Sequence, residues 1–307
     1  MKSIANGVWP TMITPYSADG TIDYSALEKL IDWYIENGVT GLFAVCQSSE
    51  MFHLSLAERL TLARACVKFA RGRVPVIASG HVAETISDQV DEALAMADTG
   101  IDAIVLVSNR FVRKGESDDV FKHNLDAFLS SFHYDITLGF YECPAPYKRL
   151  LSPELVAHCA ATGRFGFLKD TSCSMSSITA KLKIGNSNFK LFNANAATLL
   201  ASLKAGAAGY SGVMTNFHPD LYSWICAHWM EEPESAAQLQ DFLGLASVIE
   251  CQLYPINAMY ALQLEGLPVR LHSRRADARQ FTESMRLEVE QMMRLSHRFS
   301  EKYRNRA

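Results

Sequence analysis

Ile136-Thr137-Leu138-Gly139-Phe140-Tyr141, then Ser152-Pro153 at the head of an amphipathic stretch, then Phe165-Gly166-Phe167-Leu168-Lys169: these pieces decide how the chain is read. The first and last are short apolar runs of strand length. Between them, Ser152 followed by Pro153 is an N-cap with proline at the first helical position. Strand, helix and strand make one βα unit and the start of the next. The same alternation continues outward in both directions. Further runs are Gly7 to Thr14, Gly41 to Cys46, Val74 to Ala78, Ala103 to Val107, Lys190 to Asn193 and Gly209 to Val213. Eight runs, spaced by roughly 20 to 35 residues, read as successive βα units. Parallel strands with crossover helices close near that number, so the expectation is an α/β fold, a (β/α)8 TIM barrel. An open doubly wound sheet is the structural rival, but no Gly-x-Gly-x-x-Gly follows the first run.

The intervening helices carry start and stop signals. Ser55-Leu56-Ala57-Glu58 is a capping box before a helix running to Arg71. Asp23 precedes Tyr24 to Glu36, which ends at Asn37-Gly38. From about Pro233 the alternation stops and three helical stretches follow: Glu234 to Glu250, Pro255 to Leu264, and Ala276 to about Tyr303. The chain therefore divides into a barrel over 1–232 and a C-terminal helical extension over 233–307. Arg270 to Arg279 is polar and is expected to loop outward, with Arg274-Arg275 on a solvated face. The Met and Leu spacing in Met285 to Leu295 reads as a helix-packing surface.

Composition narrows the function classes. Of 307 residues, 49% are apolar and 20% charged, and mean hydropathy is +0.01, enough for a large core and too much for a disordered chain. Lys+Arg 29 against Asp+Glu 33 leaves a net charge of -4 with no long basic run, so nucleic acid is not an expected partner. No uncharged apolar stretch approaches the ~20 residues that a membrane span needs. The segment Met1-Lys2-Ser3-Ile4-Ala5-Asn6 has no apolar signal core, so a cytoplasmic location is the expectation. Seven cysteines form no C-x-x-C pair, which argues against a disulfide framework or a zinc ribbon.

In a barrel, chemistry collects where strands end and βα loops begin. Those ends offer Pro15; Gln47, Ser48, Ser49 and Glu50; Gly80 and His81; Asn109, Arg110 and Phe111; Tyr141, Glu142 and Cys143; and Lys169, Asp170 and Thr171. Lys169 is the informative one. It terminates an apolar run that directs its amine into the barrel mouth, where desolvation favours the neutral amine. A neutral amine can attack a ketone and form a Schiff base, an electron sink for the adjacent carbon–carbon bond. The bland alternative is a lysine snorkelling into solvent. Tyr141 ends the neighbouring strand, and its phenol can shuttle the protons of imine formation; the alternative for it is a hydroxyl in water.

Together these residues resemble the dihydrodipicolinate synthase and N-acetylneuraminate lyase family of class I, pyruvate-dependent aldolases. Thr14-Pro15, Asp19-Gly20-x-Ile22-Asp23, Gly38-Val39-x-Gly41 and Glu50-x3-Leu54-Ser55-x2-Glu58-Arg59 follow the family's opening in order and spacing. Tyr141 with Pro144 resembles its Tyr-x-x-Pro, and Lys169-Asp170-Thr171 its Schiff-base segment. The resemblance implies a TIM barrel with a helical extension, Lys169 as Schiff-base lysine, Tyr141 as proton shuttle, and a homotetramer.

Departures bear on the substrate. Where the family reads Gly-[Thr/Ser]-Thr-Gly-Glu to hold a keto-acid carboxylate, this chain has Cys46-Gln47-Ser48-Ser49-Glu50. Ser48 keeps one hydroxyl, Gln47 replaces the other, and Ser49 replaces a glycine whose backbone freedom could matter. Phe111 falls where the synthase has a second relay tyrosine, and Pro146 near its dicarboxylate-binding arginine. True dihydrodipicolinate synthase is therefore not expected, and because the lyase's small-residue and glycine pattern after Tyr-x-x-Pro is missing, neither is a sialic acid lyase.

Arg110 could bind a substrate anion through its guanidinium fork or stand in an ion pair. His81 could be an acid or base, or a satisfied loop histidine. Asn193 and Asn195 could contact substrate hydroxyls, with capping as the bland reading for Asn195. Cys46, Cys143 and Cys173 near strand ends raise a metal site, which no histidine spacing supports.

The expectation is a class I aldolase or lyase acting on a 2-oxo acid such as pyruvate. Lys169 and Tyr141 are the catalytic pair, and Ser48, Ser49, Gln47, Arg110, Thr171 and Gly212 contact substrate, with no metal and no cofactor beyond the covalent imine. The alternatives are a 2-keto-3-deoxy sugar acid dehydratase or hydratase-aldolase, and a barrel that binds a metabolite without turnover.

Overall fold

A computed structural model describes residues 4–184 and 189–304; the first three residues of the N-terminal segment and the last three of the extension lie outside that range. Strands and helices alternate eight times, as β1 (Gly7–Val8), α1 (Tyr24–Glu36), β2 (Leu42–Ala44), α2 (Leu56–Ala70), β3 (Val76–Ala78), α3 (Ile86–Ala97), β4 (Ala103–Val107) and α4 (Asp118–Ser131). The second half continues with β5 (Thr137–Tyr141), α5 (Pro153–Ala161), β6 (Phe165–Asp170), α6 (Met175–Ile184), β7 (Lys190–Asn193), α7 (Leu199–Lys204), β8 (Gly209–Tyr210) and α8 (Pro219–His228). All strand pairs are parallel, in the order β1-β8-β7-β6-β5-β4-β3-β2. A parallel bridge from Thr11 to Phe43, with Met12 donating to the Phe43 carbonyl, joins the two ends. The fold is a TIM barrel.

Local chemistry sets the elements. Ser55 and Glu58 cap α2 reciprocally, Asp23 caps α1 through the Ala26 N–H, and Ser152 caps α5 with Pro153 following. Each such cap satisfies N–H groups that the first helical turn leaves without partners. The strand runs at Gly7 to Thr14 and Gly209 to Val213 shrink to two residues each. Pro10 has no N–H to continue β1, and the chain after β8 turns into a 3-10 helix at Val213–Asn216.

Large rings fill the barrel where small residues leave room. A Cβ on Gly139 would stand 2.2 Å from the Phe167 ring, and one on Gly41 would stand 2.2 Å from Trp9. Trp9 meets Phe192 edge-on at 6.2 Å, and Phe192 meets Phe167 at 6.4 Å. These rings form an apolar floor beneath Lys169.

Past α8 the extension consists of α9 (Pro233–Ala246), a 3-10 segment at Ser247–Cys251, α10 (Ile256–Leu264) and α11 (Glu283–Arg304). α11 starts later than Ala276, because Phe281 is extended and Thr282 accepts from the Met285 N–H. The expectation that Arg270 to Arg279 loops outward holds at Arg270, Arg275 and Arg279, which are exposed, and fails at Arg274. The Arg274 guanidinium pairs with Glu58 at 2.6 Å, donates to the carbonyls of His53 and Gly20, and stacks 5.0 Å from the centre of the Tyr16 ring. Its backbone N–H donates to Glu50 Oε2 at 2.6 Å. Glu50 is buried, so its carboxylate needs such donors. The segment is a strap across the barrel mouth.

Candidate active site

Register brings the two strand-end residues together. Tyr141 on β5 and Lys169 on β6 are directly paired, and both project inward. The Lys169 amine lies over two ring faces, 4.5 Å from the centre of Tyr141 and 5.5 Å from that of Phe43. The lysine is 4% exposed, and among the described residues no carboxylate lies within ion-pair distance of it. Burial therefore dominates and lowers its pKa from 10.5 to about 8. An ammonium deprived of water gives up its proton readily and becomes a nucleophile.

Tyr141 is buried, and burial holds its phenol well above the ordinary value, so it stays protonated. Its hydroxyl donates to Gln47 Oε1 at 3.3 Å, and the Cys143 thiol donates to the same oxygen at 3.1 Å. Gln47 thus accepts a hydrogen bond from Tyr141 through an amide carbonyl, and the proton stays on the phenol. Ser48 lies beside Tyr254 on one cavity wall, and Asn216 donates to the Tyr254 hydroxyl at 3.1 Å. Tyr141, Gln47, Ser48 and Tyr254 line one cavity of about 240 Å³, together with Glu250 and Arg275 from the extension.

Other candidates lie elsewhere. The Ser49 hydroxyl donates to the Met12 carbonyl at 2.7 Å and accepts from the Cys46 N–H at 3.1 Å, which anchors the β2 loop to the first strand segment. Left-handed backbone falls at Val45 and Glu50, not at Ser49, so the missing glycine imposes no strain there. Thr171 donates its hydroxyl to the Glu142 carbonyl at 2.6 Å and its N–H to Glu142 Oε2 at 3.0 Å. Gly212 makes room: a Cβ there would stand 2.2 Å from the Tyr210 hydroxyl.

Arg110 turns away from the Tyr141 cavity. Its guanidinium lies over Phe52 and donates to Asn109 Oδ1 and the Val82 carbonyl, beside a separate open cavity of about 540 Å³. Phe111 is buried among Phe121, Phe128 and Phe140, with His81 5.3 Å from its ring. Both His81 nitrogens are engaged, by Gln89 and by the Val107 N–H, and burial lowers its pKa to about 4. Asn193 binds Thr198 and Ser202, and Asn195 caps the short helix at Ala196. Among the described residues no cluster of His, Cys, Asp and Glu could hold a metal ion.

Sequence reasoning named Glu142 and Asp170 as strand-end residues but gave them no role. Glu142 and Asp170, next in sequence to Tyr141 and Lys169, point the other way and share Lys181 of α6, at 2.5 and 2.6 Å. All three are essentially inaccessible to water. Burial, reinforced by Asp170 and opposed by Lys181, raises the Glu142 carboxyl to about 7. A period-two reading would have flagged two carboxylates facing a helix that carries one suitably placed lysine. Glu250, Tyr254 and Arg275 left no comparable signal, since only the extension's tertiary path brings them to the mouth.

A family model described as the dihydrodipicolinate synthetase family matches residues 5–295. The 4-hydroxy-tetrahydrodipicolinate synthase of Shewanella sp. (strain ANA-3) is 28% identical over 264 residues, spanning 85% of this chain and 88% of that protein. Among solved structures, a dihydrodipicolinate synthase from Bacillus anthracis is 21% identical with a TM-score of 0.87 over 96% of this chain and 99% of that one. A prophage protein of E. coli K12 from the dihydrodipicolinic acid synthase family, in complex with pyruvate, is 22% identical. Its TM-score is 0.85 over 95% of this chain and 98% of that one. At such identities the structural likeness concerns the fold.

Proposed function

Because the chain belongs to the dihydrodipicolinate synthetase family, we propose that it is a class I aldolase or lyase that binds a 2-oxo acid such as pyruvate as a Schiff base on Lys169. One observation carries the reading: the Lys169 amine is buried 4.5 Å above the Tyr141 ring, its pKa lowered to about 8. About a tenth of such an amine is neutral at pH 7, against less than about a thousandth for an ordinary lysine. The neutral amine attacks the keto carbon to give a carbinolamine. Tyr141 gives a proton to the departing hydroxyl, and water leaves. The resulting imine draws electrons from the bond between C3 and its substituent, so that an aldol adduct can break or form there.

Reversible cleavage of a pyruvate adduct is the reaction proposed. Phe111, aromatic and packed among other rings, supports a reaction other than the synthase's own, since it offers no exchangeable proton for a second relay. The imine supplies the electron sink, so no cofactor is part of the proposal; homotetrameric assembly and a cytoplasmic location are. No described helix is long and apolar enough to cross a membrane.

The test is chemical trapping. Incubation with pyruvate followed by borohydride reduction and peptide mapping is expected to place one reduced adduct on Lys169, and Lys169→Ala is expected to show none and no turnover. An adduct on another lysine, or none with any 2-oxo acid, would overturn the proposal.

A further inference from the structure

The cavity beside Tyr141 holds a carboxylate that the imine chemistry has not used. Glu250 sits on the 3-10 segment between α9 and α10 and reaches the mouth from outside the barrel. It lines the cavity that Tyr141 lines, while Lys169 lines a separate narrow pocket with its amine 4.5 Å from the centre of the Tyr141 ring, and the carboxylate's charge favours the ammonium form of Lys169. Among the described residues no cation closes an ion pair with it, and Arg275 across the cavity is likewise outside ion-pair distance. The volume, about 240 Å³, holds on the order of eight waters at ~30 Å³ each and so admits a small 2-oxo acid.

Once a 2-oxo acid is joined to Lys169, the next step needs a base, because the proton on C3 must leave before a new carbon–carbon bond can form there. The other lining groups are poor bases. The Tyr141 phenol is protonated and points its proton at Gln47. Gln47 and Ser48 do not ionise, Arg275 stays protonated, and Tyr254 is held by Asn216. Beside these groups the Glu250 carboxylate is the better proton acceptor.

We propose that Glu250 is the catalytic base that removes the C3 proton from the imine on Lys169 and returns it in the reverse step. The carboxylate oxygen takes the proton. The C–H electron pair becomes the C2–C3 double bond, and the pair of the C=N⁺ bond settles on nitrogen, giving a neutral enamine. The inference rests on the Schiff-base reading. Partial burial raises the Glu250 carboxyl, which brings its basicity closer to what the transfer needs. Its charged and titratable surroundings are Lys169 from β6, Tyr210 from β8, Tyr222 from α8, and Cys251, Tyr254 and Arg275 from the extension.

The experiment compares wild type with Glu250→Gln and Glu250→Asp, using pyruvate as the probe. Borohydride trapping reports the imine, and loss of the pyruvate methyl signal in D2O, followed by proton NMR, reports C3 proton transfer. Trapping on Lys169 is expected to be at least as fast as in wild type in Glu250→Gln, because the charge that favours its ammonium form is gone, with methyl exchange slower by ~100-fold or more and partly restored in Glu250→Asp. Wild-type exchange is also expected to rise with pH through a midpoint above the ordinary carboxylate range, a limb that Glu250→Gln loses. Exchange in Glu250→Gln as fast as in wild type would overturn the role of Glu250 and leave the Schiff base standing. Loss of trapping along with exchange, or a wild type that traps pyruvate without exchanging it, would also overturn that role. A wild type that traps no 2-oxo acid overturns the Schiff-base reading and this inference with it.

Discussion

Lys169 ends on two aromatic faces, and that placement costs its ammonium the hydration that would otherwise keep it protonated. The ring of Tyr141 does part of this by position; its hydroxyl is available for a second task. Tyr141→Phe separates the two, because the ring remains and the exchangeable proton goes. Imine formation with pyruvate, followed by the rate of borohydride-trapped adduct, is expected to slow ~100-fold. An unchanged rate would remove Tyr141 as the proton carrier. Both residues were legible from the chain alone, since each closes an apolar run and adjacent parallel strands put such ends side by side. Ser49 and Thr171 were equally visible as hydroxyls near strand ends, yet their hydroxyls serve the backbone. Residue type and approximate place do not say which way a hydroxyl points, because that depends on which nearby carbonyl lacks a donor.

At the scale of elements, β5 and β6 carry the paired residues Tyr141 and Lys169 inward, and the residue after each turns out to α6. The outward pair, Glu142 and Asp170, bring two buried carboxylates to one ammonium, and backbone N–H groups of Leu151 and Thr171 complete the set around Glu142. Removing the cation leaves both acids uncompensated, so Lys181→Met is expected to destabilise the fold by about 3–5 kcal/mol in chemical denaturation. A loss under about 1 kcal/mol would show that the clamp contributes little. The titration has a defined sign. The Glu142 carboxyl is raised in the fold from 4.5 to about 7, so its contribution to stability is full below 4.5 and is lost as pH rises through about 7. Wild type measured between those limits is expected to show this loss, and Glu142→Gln to lack it. Helix starts at Asp23, Ser55 and Ser152 were legible because a cap is a local event. The lengths of β1 and β8 were not, because pairing depends on the neighbouring strand and on Pro10.

For the molecule as a whole, the extension completes the site. α11 lies against α8, where Tyr303 stacks on Trp224 at 4.1 Å, and the strap held by Glu50 and Glu58 carries Arg275 to the mouth. Barrel and extension thus meet at the cavity lined by Tyr141, Glu250 and Arg275, while the apolar floor of Trp9, Phe167 and Phe192 lies under Lys169 in a separate narrow pocket. None of this follows from the helical periodicity of the extension, which gives its faces but not its path. The account as a whole depends on that floor keeping one amine dry, and the pH dependence of adduct formation reads it directly. With pyruvate held at a fixed low concentration, the initial rate of borohydride-trapped adduct on Lys169 is expected to rise with pH and level off around a midpoint near 8. A rate still rising toward the ordinary lysine value of about 10.4 would place the amine in water and contradict the account.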